Sequence, residues 1–248
     1  MAGVPGRVRT GSQAVRVPSD MEYHESALPM KLNIACATNL FQGWVNIDRV
    51  DMTSYLQHMN GPSEDILKTW PVAQAALSRA VTAGLIDFEL QDLRQGFPHY
   101  EAGSVDAIYL GQVVEHLNPL QELPKFLLEC FRLLKSGGKV RITTPDLDVL
   151  LRAYQDGRLS EFNAEQPAFY WDALPSAQLS YLMFGACGPD STLENYEGHS
   201  SCLSQEWLQQ LLERAGFSSV TFGVKSEEFS GCVDCGMSHS MGAEATKP

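Results

Sequence analysis

Asn33-Ile34-Ala35-Cys36-Ala37-Thr38-Asn39 is followed at close range by Gly43-Trp44-Val45-Asn46-Ile47-Asp48. A short apolar run ends in small residues, and a second strand-like run ends in an acid. Small residues let the main chain approach a ligand closely. An acid after the second strand accepts hydrogen bonds from ribose hydroxyls. The two runs read as adjacent sides of a nucleoside pocket, and the rest of the chain decides which nucleoside.

Outward from that pair, the pattern alternates. Residues 31–36 and 44–48 are the first two strands. Residues 63–83 have helical composition, with Pro71 as a break or a new first turn. Residues 85–90 form a third strand ending at Asp92, and 105–110 a fourth ending near Gln112. Leu120, Leu123, Leu127, Phe131 and Leu134 recur at helical spacing, and Gly137-Gly138 is expected to stop that helix. Residues 139–144 are a fifth strand closed by Pro145.

Residues 147–201 lose this regularity and are rich in aromatics, among them Tyr154, Phe162, Tyr170, Trp171, Tyr181 and Tyr196. A long segment of that kind usually carries function, as a lid or a substrate wall. Order returns at Ser204, an N-cap for a helix over 205–215 that Gly216 ends. Residues 220–225 and 237–246 read as a closing strand pair with no helix between them. Strands alternating with helices imply a mostly parallel sheet covered on both faces. The helix-free closing pair implies one antiparallel strand.

Composition sets the bounds. At 248 residues with 44% hydrophobic content, the chain suits one domain with a sizeable core. A net charge of −12 argues against a nucleic-acid surface, which needs clustered Lys and Arg, and against an anionic membrane. It favours a small, neutral or cationic partner. No apolar run reaches 18 residues, and the N-terminus lacks an apolar signal core. Residues 1–29 are polar, with Arg7, Arg9 and Arg16, and are read as a mobile tail. Six scattered cysteines, several in apolar segments, fit reduced thiols and a cytoplasmic protein. Oligomeric state is not legible.

The chain resembles the class I S-adenosylmethionine (SAM)-dependent methyltransferases, specifically the small type-11-like group. The carriers are Leu32-Asn33-Ile34-Ala35-Cys36-Ala37, the run from Gly43 to Asp48, Asp92-Leu93, Val105-Asp106-Ala107-Ile108-Tyr109 and Val114-Glu115-His116-Leu117. Later come Leu133-Leu134-Lys135-Ser136-Gly137-Gly138-Lys139 and Leu211-Leu212-Glu213-Arg214-Ala215-Gly216-Phe217. The resemblance covers residues 31–248. It implies a Rossmann-like α/β fold: a seven-stranded, mostly parallel sheet with an antiparallel last strand and an aromatic, helical insertion after the fifth strand. It implies SAM as cofactor. Residues 30–248 are then the methyltransferase domain, with 147–201 as its lid or acceptor wall.

The resemblance also assigns roles. Ala35, Cys36 and Ala37 form the loop after the first strand, where family members usually carry Gly at the two Ala positions. Glycine permits a positive φ and close approach, whereas alanine resists the positive φ. Asp48 matches the acid that holds the ribose diol. Asp92, with the Leu93 main-chain N–H, matches the adenine-edge contact. Gln112 stands where members contact the methionine part. Some related O-methyltransferases bind a divalent cation through Glu-x-x-Glu-His. Here the first position is Gln112, which weakens a site for a hard cation, and no metal is assigned. Cys232-x-x-Cys235 lacks the second ligand pair of a structural zinc site.

His199 and His116 are the expected general bases, because imidazole titrates near neutrality. Each also has a plainer reading, as a loop histidine. Asp146 either positions an acceptor or caps the next helix. A hydroxyl acceptor must lose a proton near the transition state and a neutral amine need not, so two histidines favour O- over N-methylation of a small molecule. Two other readings stay open: a SAM-binding protein without methyl transfer, suggested by Ala35 and Ala37, and a nicotinamide-dependent oxidoreductase. The missing Gly-x-Gly-x-x-Gly and the closing strand pair count against the oxidoreductase.

Overall fold

A computed structural model describes residues 29–36, 39–49, 84, 86–165, 172–184, 198–234 and 238–248. Residues 1–28 of the expected tail, the helix over 63–83, Ala37, Leu85, Tyr170, Trp171, Tyr196 and Cys235 lie outside these residues.

Seven strands form one sheet: β1 (Lys31–Ile34), β2 (Val45–Asp48), β3 (Asp87–Leu90), β4 (Val105–Gly111), β5 (Leu134–Pro145), β6 (Ser218–Phe222) and β7 (Ser240–Thr246). Their order is β3-β2-β1-β4-β5-β7-β6. The first five pair in parallel, and β7 runs antiparallel to both β5 and β6. This is the sheet expected from the alternating pattern and the helix-free closing pair. Four α-helices are described: α1 (Glu122–Leu133), α2 (Leu147–Gln155), α3 (Pro175–Phe184) and α4 (Gln205–Arg214).

The strand side chains alternate between two unlike faces. Leu32, Ile34, Ile47, Ile108, Leu110, Val140 and Ile142 pack into the main core with Leu123, Leu127 and Cys130 of α1 and with Leu208 and Leu212 of α4. The opposite face is mixed. Tyr109 packs there with Phe41, Trp44, Phe229 and Cys232. Buried polar groups stand beside them. Asn46 closes the turn ahead of β2: its side-chain oxygen accepts from Asn33 Nδ2 and from the Phe41 amide, both at 2.8 Å.

Several boundaries differ from the sequence reading. β1 stops at Ile34 rather than 36, because Ala35 turns with φ 54°. Gly137-Gly138 does not end α1. The helix ends at Leu133, and both glycines sit inside a long β5, where a Cβ on Gly138 would lie 2.9 Å from the Lys135 carbonyl. The closing strands begin at Ser218 and Ser240 rather than 220 and 237. The 147–201 segment is more regular than expected. It holds α2, a 3-10 turn over Leu159–Glu165, and α3. Leu150, Ala153, Leu159, Phe162, Leu182 and Cys202 give it a small core of its own.

Candidate active site

Parallel strands deliver their C-terminal ends to one edge of the sheet, where open α/β sheets bind ligands. Ala35 follows β1, Asp48 ends β2, Asp92 follows β3 and Gln112 follows β4. In the order β3-β2-β1-β4 these four ends are consecutive neighbours. Residues distant in sequence thus line one edge.

The main chain at this edge is shaped for close approach. Ala35 holds φ 54°, the left-handed conformation that glycine adopts without cost. Gln112 holds φ 56° at the matching point of β4. The fold therefore imposes the glycine-like backbone despite the alanine. The Cys36 amide donates to the Ile47 carbonyl at 3.1 Å, which ties the first loop to β2. The Cys36 side chain is buried, and burial followed by the nearby Asp48 charge pushes its thiol far up, so it is an inert small group.

Asp48 is buried at the end of β2, and its carbonyl accepts from the Gln91 amide at 2.8 Å. Asp92 caps the turn over Leu93–Gln95, accepting from the Arg94 amide through Oδ1 at 2.9 Å. The Leu93 side chain packs against the main core, so its contribution to the edge is main-chain only. The Gln112 amide donates to the Thr143 carbonyl at 2.8 Å, and its Nε2 to Ser240 Oγ at 3.3 Å.

A second group gathers beyond β4 and β5. The 3-10 turn Val114–His116 carries Glu115 and His116. The chain returning from the insertion is fastened to it: the Ser200 and Ser201 amides donate to the Glu115 carbonyl at 2.7 and 3.2 Å. His199 also meets the last carbonyls of α3: its amide donates to Phe184 at 3.1 Å, and its Nδ1 lies 3.0 Å from the Met183 carbonyl. These fastenings bring the two histidine rings edge to face, with centroids 4.8 Å apart. Both histidines expected as bases therefore stand in one place.

The electrostatics there are unusual. Glu115 is fully buried, and its Oε2 accepts from the Thr144 hydroxyl at 3.1 Å. Burial pushes its carboxyl up to about 8, against the smaller opposing pull of its main-chain and Thr144 hydrogen bonds. Burial also lowers His199 to about 4; the Met183 carbonyl opposes this, and His116 and His239 add to it. Asp146 takes the plainer of its two readings. Oδ1 caps α2 through the Asp148 amide at 2.9 Å, and Oδ2 accepts from Gln205 Nε2 at 2.9 Å.

Two members of this group were not assigned from the sequence. Glu115 was legible as part of Gln-x-x-Glu-His, but its burial was not. His239 is buried beside the His199 ring and against Phe162, and its carbonyl accepts from the Asp146 amide at 2.9 Å. It comes from the residue ahead of β7, so only the antiparallel return places it there.

Residues 66–142 match the family described as a methyltransferase domain. Solved structures with a similar chain path include a SAM-dependent methyltransferase from Archaeoglobus fulgidus, 14% identical, with 89% of this chain and 87% of that one covered and a TM-score of 0.45. Another, from Thermotoga maritima, is described as a possible histamine N-methyltransferase; it is 16% identical, with coverages of 88% and 82% and a TM-score of 0.43. The PH0226 protein from Pyrococcus horikoshii is 15% identical, with coverages of 91% and 84% and a TM-score of 0.46. No curated protein matches the chain. Among the described residues, no helix is long and apolar enough to cross a membrane. The matched segment reaches across β3, β4, α1 and the start of β5, and it supports a SAM-dependent methyltransferase of the type-11 group.

Proposed function

We propose that the protein transfers the SAM methyl group to a small-molecule acceptor, at oxygen in preference to nitrogen. SAM supplies a methyl carbon activated by its sulfonium, a good leaving group, so the protein's task is alignment and proton handling. Asp48 accepts the ribose hydroxyls. Asp92 and the Leu93 N–H meet the adenine edge. The main chain of Ala35 and Cys36 faces the donor closely, Ala37 is assigned to the same loop by the sequence, and Gln112 meets the methionine part. The left-handed backbone at Ala35 supports this, because it keeps the loop in the conformation that a glycine would supply.

The observation that carries the acceptor reading is the meeting of His116 and His199 at 4.8 Å beside the strand ends. The Nδ1 of His199 faces a carbonyl, so that nitrogen carries the proton and Nε2 keeps its lone pair. A lone pair beside the acceptor takes up the hydroxyl proton as the oxygen attacks the methyl carbon and the carbon–sulfur bond breaks. His199 is the favoured base and His116 the second. The helices over 147–184 form the acceptor wall.

His199→Ala is expected to lower turnover by about 10²–10⁴-fold with donor affinity little changed, and His116→Ala to cost less. The measurement needs an acceptor, found by incubating the protein with labelled SAM and a metabolite extract and identifying the labelled product by mass. Equal activity of His199→Ala and wild type across about pH 6 to 9 discards the base role and moves the reading to an amine acceptor.

A further inference from the structure

Glu115, His116 and His199 each offer one ligand atom, and these atoms lie within 4.8 Å of one another. Three features of the group go beyond proximity. The Glu115 side chain is fully buried, yet Oε1 has no hydrogen-bond partner. The carboxyl is met by a main-chain group and the Thr144 hydroxyl, and among the described residues it forms no ion pair with a Lys or Arg. A buried carboxyl oxygen left without a partner is costly in either protonation state and calls for an explanation. His199 is held by Nδ1 on the Met183 carbonyl at 3.0 Å, so its Nε2 lone pair is the one presented. Metal-binding histidines are oriented in that way, by donating their other ring N–H to a carbonyl or carboxylate. Finally, the amides of Ser200 and Ser201 lock the His199 segment onto the Glu115 carbonyl, so the set is pre-assembled.

We propose that Glu115, His116 and His199 form a site for one divalent first-row transition cation of the zinc class. The donor set decides the class. Two imidazole nitrogens and one carboxylate suit zinc, cobalt or iron(II), whereas magnesium and calcium prefer all-oxygen shells. The position three residues before Glu115 does not supply a second carboxylate, because it is Gln112, whose Nε2 is turned to Ser240 Oγ. Ligands of a tetrahedral cation with bonds of about 2.1 Å stand about 3.4 Å apart, so the group closes by on the order of an ångström on binding. Three protein ligands leave a coordination position over, as catalytic sites do and structural sites do not.

Binding itself does not depend on the acceptor, but its consequence rests on the O-methylation reading. A cation beside the acceptor hydroxyl lowers the cost of removing its proton. With the cation bound the two imidazoles serve as its ligands and the cation takes over proton removal, whereas in the metal-free protein His199 keeps the base role.

The test uses the full chain, stripped with chelator and titrated with Co²⁺ and Zn²⁺. The expected result is one equivalent of Co²⁺ with visible bands of a nitrogen–oxygen shell and no thiolate charge-transfer band. Glu115→Gln and His199→Ala should each weaken binding by at least about tenfold, the size of effect that even outer-shell changes produce. Cys232→Ser should leave it unchanged. Far-UV circular dichroism and SAM affinity by calorimetry establish that each variant is folded. His116→Ala, at a less buried ligand, stands in if Glu115→Gln does not fold. No Co²⁺ uptake, a thiolate spectrum, or equal uptake by the variants overturns the site. Methyl transfer to a hydroxyl that persists in chelator overturns the cation's role and leaves O-methylation standing. Stoichiometric Co²⁺ with only amine products does the reverse.

Discussion

Ala35 and Gln112 both hold a left-handed backbone at strand ends on one edge of the sheet. For a residue with a Cβ that conformation costs about 1–2 kcal/mol. Glycine escapes the clash but loses more freedom on folding, by about 0.5–1 kcal/mol. Ala35→Gly is therefore expected to change stability by less than about 1 kcal/mol, in the stabilising direction, and to keep or improve SAM affinity. Ala35→Val places a branched side chain where it is a true outlier and should lower the thermal midpoint clearly. Calorimetry with SAM and thermal melts check both; a marked loss of SAM affinity in Ala35→Gly would mean that the loop does not face the donor. Asp48→Ala should weaken SAM binding by about 1–3 kcal/mol, because the ribose hydroxyls lose a charged acceptor. Unchanged affinity removes Asp48 from the site.

The strands were read from their apolar residues, and their alternation explains what that reading caught and what it missed. Leu32, Ile34 and Ile47 announced β1 and β2, and the acid and small residues announced where they end. The second face of the sheet was not legible. Arg141, in the middle of β5, is 4% exposed and bonds to Glu244 of β7 at 2.7 Å and to Asp234 at 2.6 Å. No local pattern predicts a buried arginine whose partners lie about a hundred residues away. The same holds for the corner made by Glu115, His116 and His199. The residue types were visible, but their meeting depends on amides at 200 and 201. Within the expected helical insertion, the bounds of α3 were not legible, because it carries apolar residues around much of its circumference and no helical stripe stands out.

The Arg141 network makes its own prediction. It anchors the segment between β6 and β7 over the mixed face: Arg141 Nη1 also donates to the Val224 carbonyl at 2.6 Å, and Lys225 donates to the Cys232 carbonyl. Arg141→Ala leaves Glu244 buried and unpaired, which should cost about 3–5 kcal/mol. Partial burial opposes ionisation of Asp234, but the Arg141 hydrogen bond and charge outweigh it and hold the carboxyl below its usual range. A folded value below the unfolded one gives stability that is present above the unfolded pKa of about 3.9 and is lost as pH falls through the folded value. Hydrogen exchange in residues 224–234 should thus quicken below about pH 4, and Arg141→Gln should flatten that dependence. Acid-insensitive exchange in wild type would show that the ion pair does not hold the segment.

At the scale of the molecule, the insertion after β5 has a core separate from the main one, and among the described residues particular side chains and amides fasten it to the rest of the fold. One is Asp146, which caps α2 and holds Gln205 of α4. Another is the 199–201 segment on Glu115, and a third is Phe162 against His239 ahead of β7. A unit with its own core can shift as a body while the sheet stays fixed. The two halves of the site divide along that line. The residues proposed to hold the donor sit on the ends of β1 to β4, while His199 is tied by its amide to the Phe184 carbonyl at the end of α3. Donor binding and acceptor binding should therefore leave different hydrogen-exchange footprints. The demethylated donor alone should slow exchange in residues 33–36, 46–49, 91–93 and 111–113 and leave α2 and α3 unchanged. Adding an acceptor identified by the labelled-methyl screen should slow exchange in residues 147–155, 175–184 and 198–203 as well. Protection that stays within the strand ends when both are bound would contradict the acceptor wall and confine recognition to the sheet edge. Protection of α3 by the donor alone would mean that the insertion closes over SAM rather than over the acceptor.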